Sequence, residues 1–113
     1  MKTAAALAAA LIMTAAPAQA VPIVGGQGLT PNAWALAQYI QTNYPGVQSI
    51  GGVRHDPLPD HPSGRAVDIM VGGNTALGNQ IYNDIMSNPN RWGISYALWQ
   101  TDYHYDHLHI TVN

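Results

Sequence analysis

The chain has no cysteine, no glutamate and no phenylalanine, and its single lysine is Lys2. Without cysteine it can form no disulfide and offers no thiolate to a metal. Lacking glutamate as well, any side-chain metal site has to be assembled from histidine and aspartate. Positive charge is scarce too: beyond the first 20 residues three Arg stand against six Asp, a net charge of −3 with His neutral, and neither sign forms a run. A nucleic-acid surface is excluded, because phosphate binding needs clustered basic residues. The longest apolar run, Ala4 to Ala16, is too short and too Ala-rich to span a membrane.

That run has a different reading. Lys2 forms a short positive n-region, Ala4 to Ala16 an apolar h-region, and Ala18-Gln19-Ala20 a small-x-small cleavage signal. Residues 1–20 are therefore expected to be a signal peptide, leaving a secreted, extracytoplasmic monomer that begins at Val21. Removing 20 of 113 residues leaves 93, enough for one small domain with a modest core. A bound metal would stabilise such a domain where disulfides cannot. The 11 Gly and 7 Pro of these 93 residues exceed the average usage of about 12% and predict a loop-rich fold. Three Trp and six Tyr are available to fill it.

Val21 to Leu29, with Gly25, Gly26 and Gly28, reads as an extended arm. Thr30 as N-cap and Pro31 at the first helical position open a helix whose buried face is Ala33, Leu36, Ala37, Ile40 and Tyr44. Tyr44-Pro45-Gly46 ends it. Val47 to Val53 reads as a strand in which Gly51-Gly52 permits a bulge or a close backbone approach. Pro57, Pro59 and Pro62 restrict the loop from Arg54 to Ser63, which presents His61 at its end. A strand over Ala66 to Val71 puts Val67, Ile69 and Val71 on one face and Asp68 on the other. Asn74 caps a second helix to about Ser87 with Leu77, Ile81 and Ile85 as its stripe. Strands over Ile94 to Gln100 and Asp106 to Val112 follow, the last with Leu108, Ile110 and Val112 opposite His107, His109 and Thr111. The expected fold is α+β: a small, largely antiparallel sheet of about four strands with two helices on one face.

Two stretches concentrate metal-capable side chains. His61-Pro62-Ser63-Gly64-Arg65-Ala66-Val67-Asp68 holds two, and Asp106-His107-Leu108-His109 holds three. Residues i and i+2 of a strand lie roughly 6.6 to 6.8 Å apart on one face, so His107 and His109 can address one cleft while only one of them binds. If the strands carrying Asp68 and His109 are neighbours, His61 closes a set of two His and one carboxylate. With a fourth position open, that is the arrangement of a catalytic zinc site.

His61-x-x-Gly64-x-Ala66-x-Asp68, followed by Asp106-x-x-His109 and His107-x-His109, resembles the zinc peptidase group of D-alanyl-D-alanine peptidases, lysostaphin-type enzymes and the hedgehog fold. Gly51 to Val71 and the terminal His-Tyr-Asp-His segment also look like small secreted domains of actinomycete-type bacteria. The resemblance covers most of residues 45–113. It implies that His61, Asp68 and His109 bind one Zn2+, that Asp106 is the general base, and that His107 orients the water or the tetrahedral intermediate. Arg54 matches an arginine that stabilises the oxyanion. The implied partners are peptidoglycan peptides, cleaved at an amide bond.

Period two sets a condition on this reading. Asp106 and His109 fall on opposite faces of a regular strand, so Asp106 must precede the strand or sit in a bulge. Arg54 has an alternative, an ion pair with Asp56 or Asp60. His55 and His104 read as exposed surface histidines. Tyr103, Tyr105, Trp92 and Trp99 read as core or cleft wall. The loop from Thr101 to Tyr105 is short for a substrate-binding wall, which leaves a second reading open: a zinc-stabilised module that binds cell-wall peptides without cleaving them.

Overall fold

A computed structural model of the chain describes residues 19–113, so nearly all of the expected signal peptide lies outside the described residues. The elements run β1 (Ile23–Val24), α1 (Pro31–Asn43), β2 (Ser49–Gly51), β3 (Ala66–Met70), α2 (Thr75–Ser87), β4 (Ile94–Leu98) and β5 (His107–Val112), with a 3-10 turn at Pro89–Arg91. The fold is α+β.

Local chemistry sets the helix ends. Thr30 is extended at φ −65° and ψ 160°, and its hydroxyl accepts from the Ala33 N–H at 3.4 Å, with Pro31 in the first turn. Asn74 caps α2 in the same way, accepting from the Leu77 N–H at 3.0 Å. Pro45 and Pro89 follow the helix ends closely, where the ring disfavours helical backbone in the residue before it. Leu36, Ile40, Ile81 and Ile85 are fully buried and meet Val67, Ile69, Leu108, Ile110 and Val112 in one core. Each such side chain contributes about 1.5–3 kcal/mol through the area it removes from water.

The sheet has five strands in the order β1-β2-β3-β5-β4. It differs from the expected four because the N-terminal arm does not stand apart. Ile23 and Val24 pair in parallel with Ile50 and Gly51, which makes the sheet mixed, and Val21 is buried in the core. Glycine makes that approach possible: a Cβ at Gly52 would collide with the Gly25 carbonyl oxygen, while the Gly52 N–H bonds Val24 O at 2.8 Å. The other pairings are antiparallel. Register between β3 and β5 sets Val67 opposite Ile110, Ile69 opposite Leu108, and Asp68 opposite His109. The apolar alternates thus share the helix-covered face. Asp68, His107, His109 and Thr111 share the other. No helix among the described residues is long and apolar enough to cross a membrane.

The loop before β3 lies over that second face. Gly64 turns it with φ +77°, and its carbonyl accepts from the Thr30 N–H at 2.9 Å. A Cβ at Gly64 would strike the Gly28 carbonyl oxygen. Gly64→Ala is therefore expected to destabilise the protein by about 1–3 kcal/mol, lowering Tm by roughly 4–8 °C per kcal/mol. Thermal unfolding checks this beside Gly73→Ala, where a Cβ meets nothing within 4 Å. Equal melting of the two variants would show that the turn tolerates a side chain.

Candidate metal centre

Three elements deliver the site. β3 supplies Asp68, β5 supplies His109 directly opposite it, and the proline-restricted loop supplies His61. All three are buried, with ligand-capable atoms within 4.8 Å of one another. His61 Nε2 lies 3.3 Å from Asp68 Oδ2, and His109 Nδ1 lies 3.2 Å from Asp68 Oδ1. The edge of a tetrahedron with zinc-like bonds of 2.0–2.1 Å is about 3.3–3.4 Å, so the donors are already spaced as neighbouring ligands.

The hydrogen bonds behind these rings decide which nitrogens face inward. His61 Nδ1 sits 2.8 Å from the Gly52 carbonyl oxygen. A carbonyl only accepts, so Nδ1 carries the proton and Nε2 presents a lone pair. Nε2 is also the one buried side-chain polar atom without a hydrogen-bond partner among the described residues. His109 Nε2 lies 2.8 Å from Thr111 Oγ1, and the Thr111 hydroxyl bonds Asp60 Oδ2 at 2.8 Å. Lone pairs therefore point at a carboxylate, an arrangement that a cation resolves. The three side chains could hold a metal ion.

Electrostatics around the cluster are compensated from one side. Burial alone would raise the Asp68 carboxyl, but the Arg54 guanidinium bonded to it helps hold it well below the usual carboxylate range. Arg54 Nη1 bonds Asp68 Oδ2 directly, while Nη2 reaches Asp56 Oδ2 at 3.3 Å. Burial opposes the Arg54 charge, yet these two carboxylates push its pKa up. Both sequence readings of Arg54 thus meet at one residue: it pairs with Asp56, and it borders the site. Asp60 is taken by Arg65 instead, at 3.1 Å.

Asp106 precedes β5, as the strand period requires, and its carbonyl accepts from Val71 N–H at 3.0 Å and Gly72 N–H at 3.1 Å. Its carboxylate accepts from His107 Nδ1–H at 2.8 Å and is lowered by that bond, while the side chain stays 64% exposed. The same bond leaves a lone pair on His107 Nε2, which lies 3.8 Å from Asp68 Oδ1. His107, rather than Asp106, faces the centre.

Above the cluster is a cleft of about 240 Å³ whose walls include Leu58, Tyr96, Leu98 and His104. Sequence reading placed His104 on the surface, but its ring stands 4.9 Å from His107 and 5.9 Å from His109. His55 is exposed as expected. Trp92 is core, Trp99 packs against the core, and Tyr103 and Tyr105 are exposed. Asp60, Thr111 and Tyr96 were missed. The signals for two of them were there, since Thr111 is two residues past His109 on the same strand face and Asp60 adjoins His61.

The fold and site define an α+β domain with a buried His, Asp, His metal-capable centre on the polar face of its sheet. The family model described as VldE, C-terminal domain matches residues 25–108, and the chain belongs to that family. The matched stretch includes Arg54, His61, Asp68, Asp106 and His107 and stops one residue short of His109. No curated protein and no solved structure matches the chain.

If the three donors act together, a divalent transition-metal ion at 100 times its Kd is expected to stabilise the fold by about 2.7 kcal/mol. Thermal unfolding with and without metal measures this. His61→Ala and His109→Ala should each abolish the rise in Tm, and a wild-type Tm indifferent to metal would remove the site.

Proposed function

We infer that the protein is a secreted zinc peptidase that hydrolyses amide bonds in peptidoglycan peptides. The observation that carries this is the buried, unpartnered His61 Nε2, aimed with His109 Nδ1 at one carboxylate. His61, Asp68 and His109 would hold the zinc. That donor set, nitrogen-rich with one carboxylate and a position left open, suits Zn2+ and not the all-oxygen shells of calcium or magnesium. Bound there, zinc would polarise the amide carbonyl and bring the pKa of a water molecule towards about 7.

The chain's own residues carry the remaining steps. His107 Nε2 accepts the proton of the attacking water and returns it to the leaving amine. Asp106, bonded to Nδ1–H, fixes that tautomer and stabilises the ring when it becomes charged. This reverses the roles expected from sequence, on the ground that Asp106 bonds to His107 and its side chain is mostly exposed. Arg54, 48% exposed at the mouth of the cleft, places positive charge where the carbonyl oxygen becomes negative. Export, expected from residues 1–20, would bring the protein to its substrate's compartment, and the resemblance of the His61 to Asp68 and Asp106 to His109 stretches to the D-alanyl-D-alanine peptidase group supports the substrate class.

One observation favours a second reading. The cleft of about 240 Å³ falls below the usual 300–1,000 Å³ of a ligand pocket, which suits a zinc-stabilised module that binds cell-wall peptides without cleaving them.

Zinc content and turnover separate the two. A peptidase should purify with near one zinc per chain, lost in His109→Ala, and should cleave peptidoglycan fragments. His107→Ala should keep the zinc and lose about 10²–10⁴ in kcat, with Asp106→Ala following it in part. Zinc without cleavage of any stem or cross-bridge peptide would leave the binding module. A folded protein without zinc would end both readings.

A further inference from the structure

Behind the ligand His109 lies a chain of hydrogen bonds that the reaction does not use. Asp60 is an acceptor on both oxygens: Arg65 Nη2 reaches Oδ1 at 3.1 Å, while Thr111 at 2.8 Å and the Tyr96 hydroxyl converge on Oδ2. The Arg65 guanidinium can only donate, and with two hydroxyls converging on the other oxygen Asp60 is placed as an acceptor, so the single Thr111 proton points at it. Thr111 Oγ1 then has only lone pairs left for His109, whose Nε2 lies 2.8 Å away. The proton in that bond belongs to the ring. In the neutral ring Nδ1, on the other side, is then left bare.

We propose that Asp60, acting through Thr111, fixes His109 as the Nε2–H tautomer, and that Asp60 and Thr111 are positioning residues which preset Nδ1 as a metal donor. Direction is what makes the relay informative. If Thr111 donated to His109 instead, its oxygen and Asp60 Oδ2 would face each other at 2.8 Å with no proton between them. Nδ1 would then carry a hydrogen directed at Asp68, and the ring could not ligate from that side. Burial protects the arrangement from competing water, since Thr111 is 1% and His109 9% exposed. Tyr96 closes the solvent side: it bonds Asp60 and stacks on the His109 ring at 5.9 Å and 16°. His61 is handled separately, by the Gly52 carbonyl. Each ligand histidine therefore has its own acceptor behind it, one backbone and one carboxylate relayed by a hydroxyl, the pattern that orients metal-bound imidazoles.

The proposal rests on the metal reading, so the test has one arm that needs no metal. Zinc affinity is measured by competition with a chelating dye for wild type, Thr111→Val and Thr111→Ser. Thr111→Val keeps the shape and loses the relay, and is expected to weaken zinc by about 10–100-fold; Thr111→Ser restores the hydroxyl and should bind close to wild type. In metal-free protein, long-range 1H–15N spectra should show neutral His109 as Nε2–H in wild type and Thr111→Ser. Asp60→Ala, which frees Thr111 to donate, should shift it towards Nδ1–H. Wild-type zinc affinity in Thr111→Val, equal loss in Val and Ser, or Nδ1–H in the wild-type spectrum would each overturn the proposal. A wild type that takes no zinc but shows Nε2–H would defeat the metal reading while leaving the relay in place.

Discussion

Everything in this domain depends on the register in which β3 meets β5. Setting Val67 against Ile110 and Ile69 against Leu108 places four apolar side chains under the helices, and the same register sets Asp68 against His109 on the reverse face. Core and site are two readings of one alternation. A slip of a single residue would turn the polar side chains of the slipped strand into the core and its branched side chains out of it. A one-residue shift therefore damages core and site together.

The second constraint is that the polar face is itself covered. The loop from Arg54 to Arg65 folds back over the sheet, held by the Gly64 carbonyl to Thr30 N–H, Arg65 N–H to the Asp60 carbonyl at 3.0 Å, and Val112 N–H to the Arg65 carbonyl at 2.8 Å. His61 is thereby pressed to 2% exposure beside a carboxylate that is 7% exposed. Burying such groups is expensive unless their charge is matched. Arg54 matches part of it from the rim, but its position at Asp68 Oδ2 leaves the two imidazole lone pairs unaddressed. Arg54 balances the carboxylate's charge, while the geometry around it still fits a cation inside.

Much of this was legible in the sequence, for identifiable reasons. Thr30-Pro31 and Asn74 are local capping signals, so both helices could be placed nearly to the residue. The alternation of residues 107–112, and Asp68 set between Val67 and Ile69, assigned faces correctly, because period two is a property of the backbone alone. What was not legible depends on partners far apart in the chain. β1 has two residues, between Pro22 and Gly25, and acquires strand geometry only by pairing with β2, so no local pattern announced it. Asp60 and Thr111 are 51 positions apart, and their bond exists only once the loop has closed over β5. Spacing put Asp106 near the histidines, but whether its carboxylate faced the centre or bonded to His107 depends on side-chain direction at a strand entrance, where the period no longer applies.

The size of the domain sharpens the argument for a metal over a structural polar cluster. A small domain with no disulfide has only a few kcal/mol of net stability to lose. Leaving one buried acceptor unsatisfied costs about 1–3 kcal/mol, a large share of that margin, and His61 Nε2 is such an acceptor. A purely structural role would be better served by an apolar residue at position 61, packed against the same loop. Keeping an imidazole there, with its proton committed to the Gly52 carbonyl, makes physical sense if the free energy of a bound cation more than offsets the cost. On that reading the metal-free fold is the strained state of the molecule, and ligand binding and folding stability are linked through the same three side chains.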